Sequence, residues 1–200
     1  IELMRRHHIA GDCLFADAFW GDTARVQSLQ ALGWEADNSL PYVLNRTEIK
    51  SLAVPALPDG FSYRAAKSTA DAAALAEVHN ASFGSSWTPE VYRRVMTSPG
   101  YEPERELVIQ AADKSFVAFT IIWFDHLNAT GLFEPVGTHK DYRRRGFGRA
   151  IILYGMQQMA GAGMKFATVA HFGRNEAARG LYHACGFKPW HLQDAHKKYF

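Results

Sequence analysis

Residues 136–150 read Val136-Gly137-Thr138-His139-Lys140-Asp141-Tyr142-Arg143-Arg144-Arg145-Gly146-Phe147-Gly148-Arg149-Ala150. Before them, Gly131-Leu132-Phe133-Glu134-Pro135-Val136 is short and mostly apolar, as a strand would be. After them, Ala150-Ile151-Ile152-Leu153-Tyr154-Gly155-Met156 opens a helix-like apolar pattern. The order is strand, basic loop, helix start. A helix N-terminus exposes unpaired backbone N–H groups and a partial positive charge, which together make an anion site. Gly146 and Gly148 let the backbone come close to an anion. The guanidinium forks of Arg143, Arg144, Arg145 and Arg149 suit phosphate oxygens. The stretch predicts a phosphate cradle. It is not a nucleotide-triphosphate loop, because no Gly-Lys-Ser/Thr follows, nor a dinucleotide fingerprint, which would need Gly-x-Gly-x-x-Gly.

Arg143-Arg144-Arg145-Gly146-Phe147-Gly148 resembles the acyl-CoA pyrophosphate motif of the GNAT acetyltransferase superfamily, Arg/Gln-x-x-Gly-x-Gly/Ala. A second segment agrees. Asn175-Glu176-Ala177-Ala178-Arg179-Gly180-Leu181-Tyr182-His183-Ala184-Cys185-Gly186-Phe187 resembles the family's other signature, Asn-x-x-Ala-x-x-Leu-Tyr followed by Gly-Phe. Asn175 suits a helix N-cap and Gly186 a C-cap, with Ala178, Leu181 and Cys185 at helical spacing. Phe166-Ala167-Thr168-Val169-Ala170 ahead of it reads as a buried strand. The resemblance covers about residues 60–200.

The resemblance implies an α/β GNAT fold, a mixed and mostly antiparallel sheet flanked by helices. It implies an acetyl-CoA-dependent N-acetyltransferase that moves an acetyl group to a primary amine by direct attack. Acetyl-CoA would lie across Arg143, Arg144, Arg145, Gly146, Phe147, Gly148, Arg149 and Asn175, with the backbone of Val136 and Thr138 meeting its pantetheine amides. Tyr182 falls on the tyrosine that serves many members as general acid; a phenol near pKa ~10 stays protonated and can donate to the leaving sulfur. Glu134 stands where the corresponding strand often carries a base, on the face of Leu132 and Val136 by simple alternation. Asp125, His126 and His171 are alternative bases. A non-catalytic acyl-CoA sensor or assembly module is the second reading, and nucleic-acid binding through the arginine loop, with Tyr142 and Phe147 as stacking faces, the third.

Composition narrows these. Two hundred residues, 48% of them hydrophobic, suffice for one good core with an appendage. A net charge of +2 gives no global attraction to nucleic acid. Cys13 and Cys185 form no disulfide framework and fit a reducing cytoplasm. No apolar run is long enough to span a bilayer, and no histidine, the His7-His8 pair included, shows metal-ligand spacing. No metal, nucleic-acid or membrane partner is expected. The acceptor, a small-molecule or peptide amine, cannot be read from the residues, and oligomeric state, a homodimer included, is open.

Residues 1–50 are the odd part. Leu14–Trp20 reads as a strand, Thr23–Leu32 as a short helix ending at Gly33, and Tyr42–Leu44 as a second strand. Ala31-Leu32-Gly33-Trp34 lies beside Ala184-Cys185-Gly186-Phe187 as a weak internal repeat, with Leu29 opposite Tyr182 and Asp22 opposite Asn175. This resembles tandem GNAT proteins of mycothiol-synthase-like organisation, in which a degenerate first unit precedes an active one. Residues 51–60, with Pro55, Pro58 and Gly60, read as a linker, and 61–200 as the acetyltransferase domain. Within it, Ser68-x-x-Asp71 resembles a capping box ahead of an alanine-rich helix to Phe83. Thr88-Pro89 starts a second helix to Thr97. The resemblance implies that Trp87 and Tyr92 line the acceptor site; Pro135 argues for an edge, a bulge or a break in strand pairing, and Cys185 is a small core residue.

Overall fold

The computed structural model describes residues 13–37, 41–50 and 53–199; the His7-His8 pair lies outside them. The chain divides into two compact units, residues 1–45 with 170–178 and 189–200, and residues 46–169 with 179–188. The sequence suggests a division along the chain at residues 51–60. The compact units divide between Asn45 and Arg46, and the first also takes in described residues 170–178 and 189–199.

The second unit is built on a sheet of β4 (Phe61–Ala65), β5 (Glu106–Ala111), β6 (Phe116–Asp125), β7 (Thr130–Thr138) and the start of β8 (Phe166–Phe172). Neighbours run antiparallel from β4 through β7, and β8 is parallel to β7. This is the mixed, mostly antiparallel sheet expected. β6 is buried from Phe116 to Ile122, because both its faces are covered. On one face lie α2 (Ala72–Phe83) and α3 (Pro89–Met96), whose Leu75, Val78, Tyr92 and Met96 pack with Val108, Phe116 and Phe119. On the other lies α4 (Phe147–Gly161), where the absent Cβ of Gly155 would stand 2.4 Å from the Phe133 ring.

Thr88 caps α3 through its Oγ1, which accepts from the Val91 N–H at 3.2 Å, and Pro89 occupies the first turn. The capping box differs from the expectation. Ser68 accepts from Ala70 N–H and starts a short 3-10 turn in which Asp71 N–H donates to Ser68 O, but the Asp71 carboxylate does not return to the Ser68 N–H. Its carboxylate takes the Lys67 N–H at 2.9 Å and both Arg64 nitrogens at 2.8 and 2.9 Å, because a guanidinium fork outcompetes a second backbone donor. That pairing holds the Asp71 carboxyl below the usual carboxylate range.

In the first unit, β9 (Lys188–Tyr199) pairs antiparallel with β1 (Cys13–Phe19) and β2 (Glu35–Ala36), and α1 spans Thr23–Ala31. β3 (Tyr42–Glu48) extends beyond the Tyr42–Leu44 run read from sequence. α1 has no buried residue, and Phe15, Trp20, Leu32, Trp190 and Tyr199 are exposed in this unit.

Candidate functional site

Two features of β7 make the site. The first is where its pairing with β8 stops. The ladder runs from Thr130↔Phe166 to Phe133↔Val169 and no further. Glu134–Thr138 continues alongside β6, and among the described residues its other edge is unladdered, one of the outcomes Pro135 suggests.

The second is a bulge. Thr120 pairs with Val136 but Ile122 with Phe133, so Glu134 and Pro135 together oppose Ile121. The Glu134–Pro135 peptide bond is cis. An extra residue shifts the side-chain alternation by one. Val136 therefore shares the face of Phe133, and not that of Leu132 and Glu134 as unbroken alternation predicts. Thr138 follows Val136 on the α4 face, consistent with its Oγ1 lying 3.2 Å from the Cβ position of Gly148. Gly137 lies on the α2 face, where an added Cβ would stand 2.3 Å from the Phe119 ring and 2.9 Å from Ser82 Oγ.

Beyond β7, a short turn over Lys140–Tyr142 leads into the arginine loop and α4. Gly146 is the N-cap of α4 with φ +84°, a backbone that favours glycine. The first intrahelical bond is Ala150 N–H to Gly146 O at 2.9 Å, so the N–H groups of Phe147, Gly148 and Arg149 have no helical partner. The four arginines differ sharply. Arg143 donates from Nη2 to Ser82 O at 2.7 Å and from Nε to Thr138 O at 3.4 Å, tying the loop to α2. The Arg145 guanidinium lies 5.2–5.7 Å from the ring centres of Tyr142, Phe147 and Phe61. Arg144 and Arg149 are exposed, with no hydrogen-bond or ion-pair partner among the described residues. Phe147 corrects an expectation: its ring is 1% exposed and packs 4.8 Å from Phe61, so it offers no stacking face and only its backbone reaches the cradle.

Tyr182 stands on α5 (Glu176–Ala184), which Asn175 caps by accepting from Ala178 N–H at 3.0 Å. Asn175 belongs to the first unit, where the structure gives it this cap. Tyr182 is buried; desolvation, with the nearby Glu134 charge adding to it, pushes its phenol above the ordinary value. Glu134 is open to solvent by area, yet enough protein surrounds its carboxyl that desolvation raises it above the usual range. Burial pushes the Cys185 thiol up to about 11, against the pull of Arg149, so it stays a neutral core group.

Two of the alternative bases have other hydrogen-bond partners. Asp125 accepts from Asn128 N at 3.1 Å and Nδ2 at 2.6 Å, which closes the hairpin turn and lowers its carboxyl. His126 is exposed near that tip, and His171 is buried in the first unit with Nδ1 2.8 Å from Phe172 O. Among the described residues, no group of three or more His, Cys, Asp or Glu could hold a metal, and no helix is long and apolar enough to cross a membrane.

Sequence reasoning missed two clusters. Glu106, fully buried, accepts from the hydroxyls of Tyr92 and Tyr101. Tyr92 therefore does not line a site; it is 1% exposed. His79 stacks on Trp87 at 4.1 Å and bonds Ser85 Oγ at 2.8 Å.

Residues 72–187 match the model of the acetyltransferase (GNAT) family. A GCN5-related N-acetyltransferase from Sphaerobacter thermophilus shares the fold with TM-score 0.73 and 19% identity, over 98% of this chain and 64% of that one. A tandem GNAT protein from the clavulanic acid biosynthesis pathway gives 0.75 and 16%, over 99% and 66%. A GCN5-related N-acetyltransferase from Kribbella flavida gives 0.66 and 20%, over 92% and 68%. The chain thus spans about two thirds of the length of these structures, and at such identities the likeness is one of fold. No curated protein sequence matches it.

Proposed function

The chain belongs to the GNAT acetyltransferase family, and on that premise we propose that it binds acetyl-CoA along β7 and α4 and transfers the acetyl group to a primary amine. One observation carries the reading: the freed edge of β7 leads directly into a helix start whose first three N–H groups have no helical partner. The pyrophosphate would lie over Gly146, Phe147, Gly148 and Arg149, with Arg144 and Arg149 as its free guanidinium partners. The backbone of Val136 and Thr138 would take the pantetheine amides.

The residues then divide the chemistry. The amine nitrogen attacks the thioester carbonyl, the carbon–sulfur bond breaks, and the thiolate takes the proton of the Tyr182 hydroxyl. A phenol held above its ordinary value stays protonated at neutral pH and can give that proton. Glu134 takes the proton leaving the amine. Its raised carboxyl is a stronger base than a fully hydrated glutamate. No thiolate nucleophile is needed, which agrees with the neutral Cys185.

Local geometry supports the internal-repeat reading. β1 and β8 are each seven residues, and α1 and α5 each nine. Asp22 caps α1 by accepting from the N–H three residues on, at 3.0 Å, as Asn175 caps α5. Trp34 N–H returns to Leu29 O as Phe187 N–H returns to Tyr182 O, both at 3.0 Å. We read residues 13–34 as a degenerate copy of 166–187 without an arginine loop.

Calorimetric titration of acetyl-CoA into wild type and into a Gly146→Asp/Gly148→Asp double variant tests the cradle. Aspartate tolerates positive φ better than most residues, and a carboxylate at a helix N-terminus does not destabilise it. We expect saturable binding to wild type that is lost in the folded variant. No binding to folded wild type would sink the reading.

A further inference from the structure

Among the described residues of the second unit, three of the four large apolar side chains that are exposed lie together at the α2–α3 junction: Phe83, Trp87 and Val91. The fourth, Leu127, is at the hairpin tip. The junction's carboxylate, Glu90, is engaged by Arg93 at 3.2 Å and Arg94 at 3.9 Å. The patch is apolar and offers no free anion.

Its one polar centre is His79, whose tautomer follows from the hydrogen bonds. Asn80 Nδ2 donates to Trp87 O and Asn80 Oδ1 accepts from Trp87 N–H, both at 2.8 Å, which fixes the amide's orientation. Ser85 gives its single hydroxyl hydrogen to Asn80 Oδ1 at 2.8 Å. The 2.8 Å contact between Ser85 Oγ and His79 Nδ1 must then be an N–H donated by His79. Desolvation holds the imidazole below its usual pKa, hence neutral. Nε2 therefore carries a lone pair, and it has no hydrogen-bond partner among the described residues.

This group sits beside the proposed reaction strand. Ser82, one turn along α2, lies against Gly137 and accepts from Arg143, and Phe119 spans from Gly137 to His79, its ring centre 5.9 Å from the imidazole.

The resemblance already puts the acceptor against Trp87; we propose that this acceptor is a primary amine on a flat apolar body, with the body against Trp87 and Phe83 and an N–H given to His79 Nε2. The inference rests on the acetyl-transfer reading above. A polyamine or an amino sugar would find there only a carboxylate already paired with two arginines, and few hydrogen-bonding groups.

The test is acetyl-CoA turnover, read as thiol release, with phenylethylamine, spermidine and glucosamine, alongside calorimetry of acetyl-CoA. We expect phenylethylamine to exceed the other two in kcat/KM by roughly two- to tenfold, the scale of one aromatic contact. Trp87→Ala should raise its KM without changing the Kd for acetyl-CoA. His79→Asn keeps a donor for Ser85 but loses the acceptor at the ε position and should raise KM likewise. His79→Gln, whose Oε1 can stand in for Nε2, should restore most of it. Bound acetyl-CoA with phenylethylamine unfavoured or not turned over, or with KM unmoved in folded Trp87→Ala and His79→Asn, overturns the platform and leaves acetyl-CoA binding standing. Absence of acetyl-CoA binding overturns both.

Discussion

The backbone N–H of Phe187 donates to the carbonyl of Tyr182 at 3.0 Å, and the two rings lie 6.1 Å apart. With Gly186 N–H bonded to His183 O at 3.0 Å, this is a Schellman closure: the last turn of α5 is sealed by the residue that packs on Tyr182. Gly186 makes it feasible with φ +88°. Gly186→Ala has room for its methyl, which would meet only Thr47 Oγ1 at 3.7 Å, so its cost is conformational. A left-handed residue bearing a Cβ costs about 1–2 kcal/mol. Thermal unfolding should show a melting temperature lower by a few degrees, and turnover should fall with it because Tyr182 loses its fixed turn.

Tyr182→Phe separates chemistry from structure. The ring stays, so packing against Phe187 survives, and only the hydroxyl is lost. If that hydroxyl protonates the leaving thiolate, kcat should drop by about 10²–10⁴-fold with acetyl-CoA affinity unchanged. A Kd that moves while kcat holds would assign the hydroxyl to binding instead.

Much of this was legible because single residues decided it. A Gly at a helix end and a Thr-Pro at a helix start act through their own backbone chemistry and end and start helices as read, and the Gly-rich basic run leads into a helix start. Pro135 announced a break in pairing, but which way the faces slipped depended on Ile121 across the ladder, so Val136 was assigned the wrong side. Arg143 looked like its neighbours in the run; its partner, Ser82, lies 61 residues away in the chain. Glu106 opened a strand where alternation gives no reason to bury a carboxylate. It needed two tyrosines that only the fold brings together.

Glu106 also makes the stability pH-dependent. Burial raises its carboxyl, while the Tyr101 and Tyr92 hydroxyls pull it down without cancelling the shift. The folded state therefore holds this proton more tightly than the unfolded state. The stability it confers is full below the unfolded carboxylate value near ~4.3 and is lost as pH rises through the raised folded value. Glu106→Gln, which keeps an acceptor and a donor for the tyrosines but cannot ionise, should flatten that decline. Denaturant unfolding from pH 4 to 8 measures it; equal slopes in the two proteins would contradict the assignment.

The arginine run predicts a split between neighbours. Arg143 already donates to Ser82 O and Thr138 O, so Arg143→Ala should act first on stability, leaving a carbonyl unsatisfied at a cost of about 1–3 kcal/mol. Arg144 and Arg149 are exposed without such partners, so their replacement by glutamine should leave the melting temperature nearly unchanged. Their effect should fall on acetyl-CoA instead. A charge-assisted bond to phosphate is worth about 1.5–3 kcal/mol, or roughly ten- to a hundredfold in Kd. An exposed pair is screened by salt, so the loss should be largest at low ionic strength and shrink toward 1 M. Calorimetry at two salt concentrations, set beside thermal unfolding of the three variants, reads both effects. Were Arg143→Ala to weaken acetyl-CoA binding more than Arg144→Gln or Arg149→Gln at equal stability, the guanidinium held by Ser82 would have to swing onto the ligand. The phosphate cradle would then be completed by a movement of α2 and the loop together.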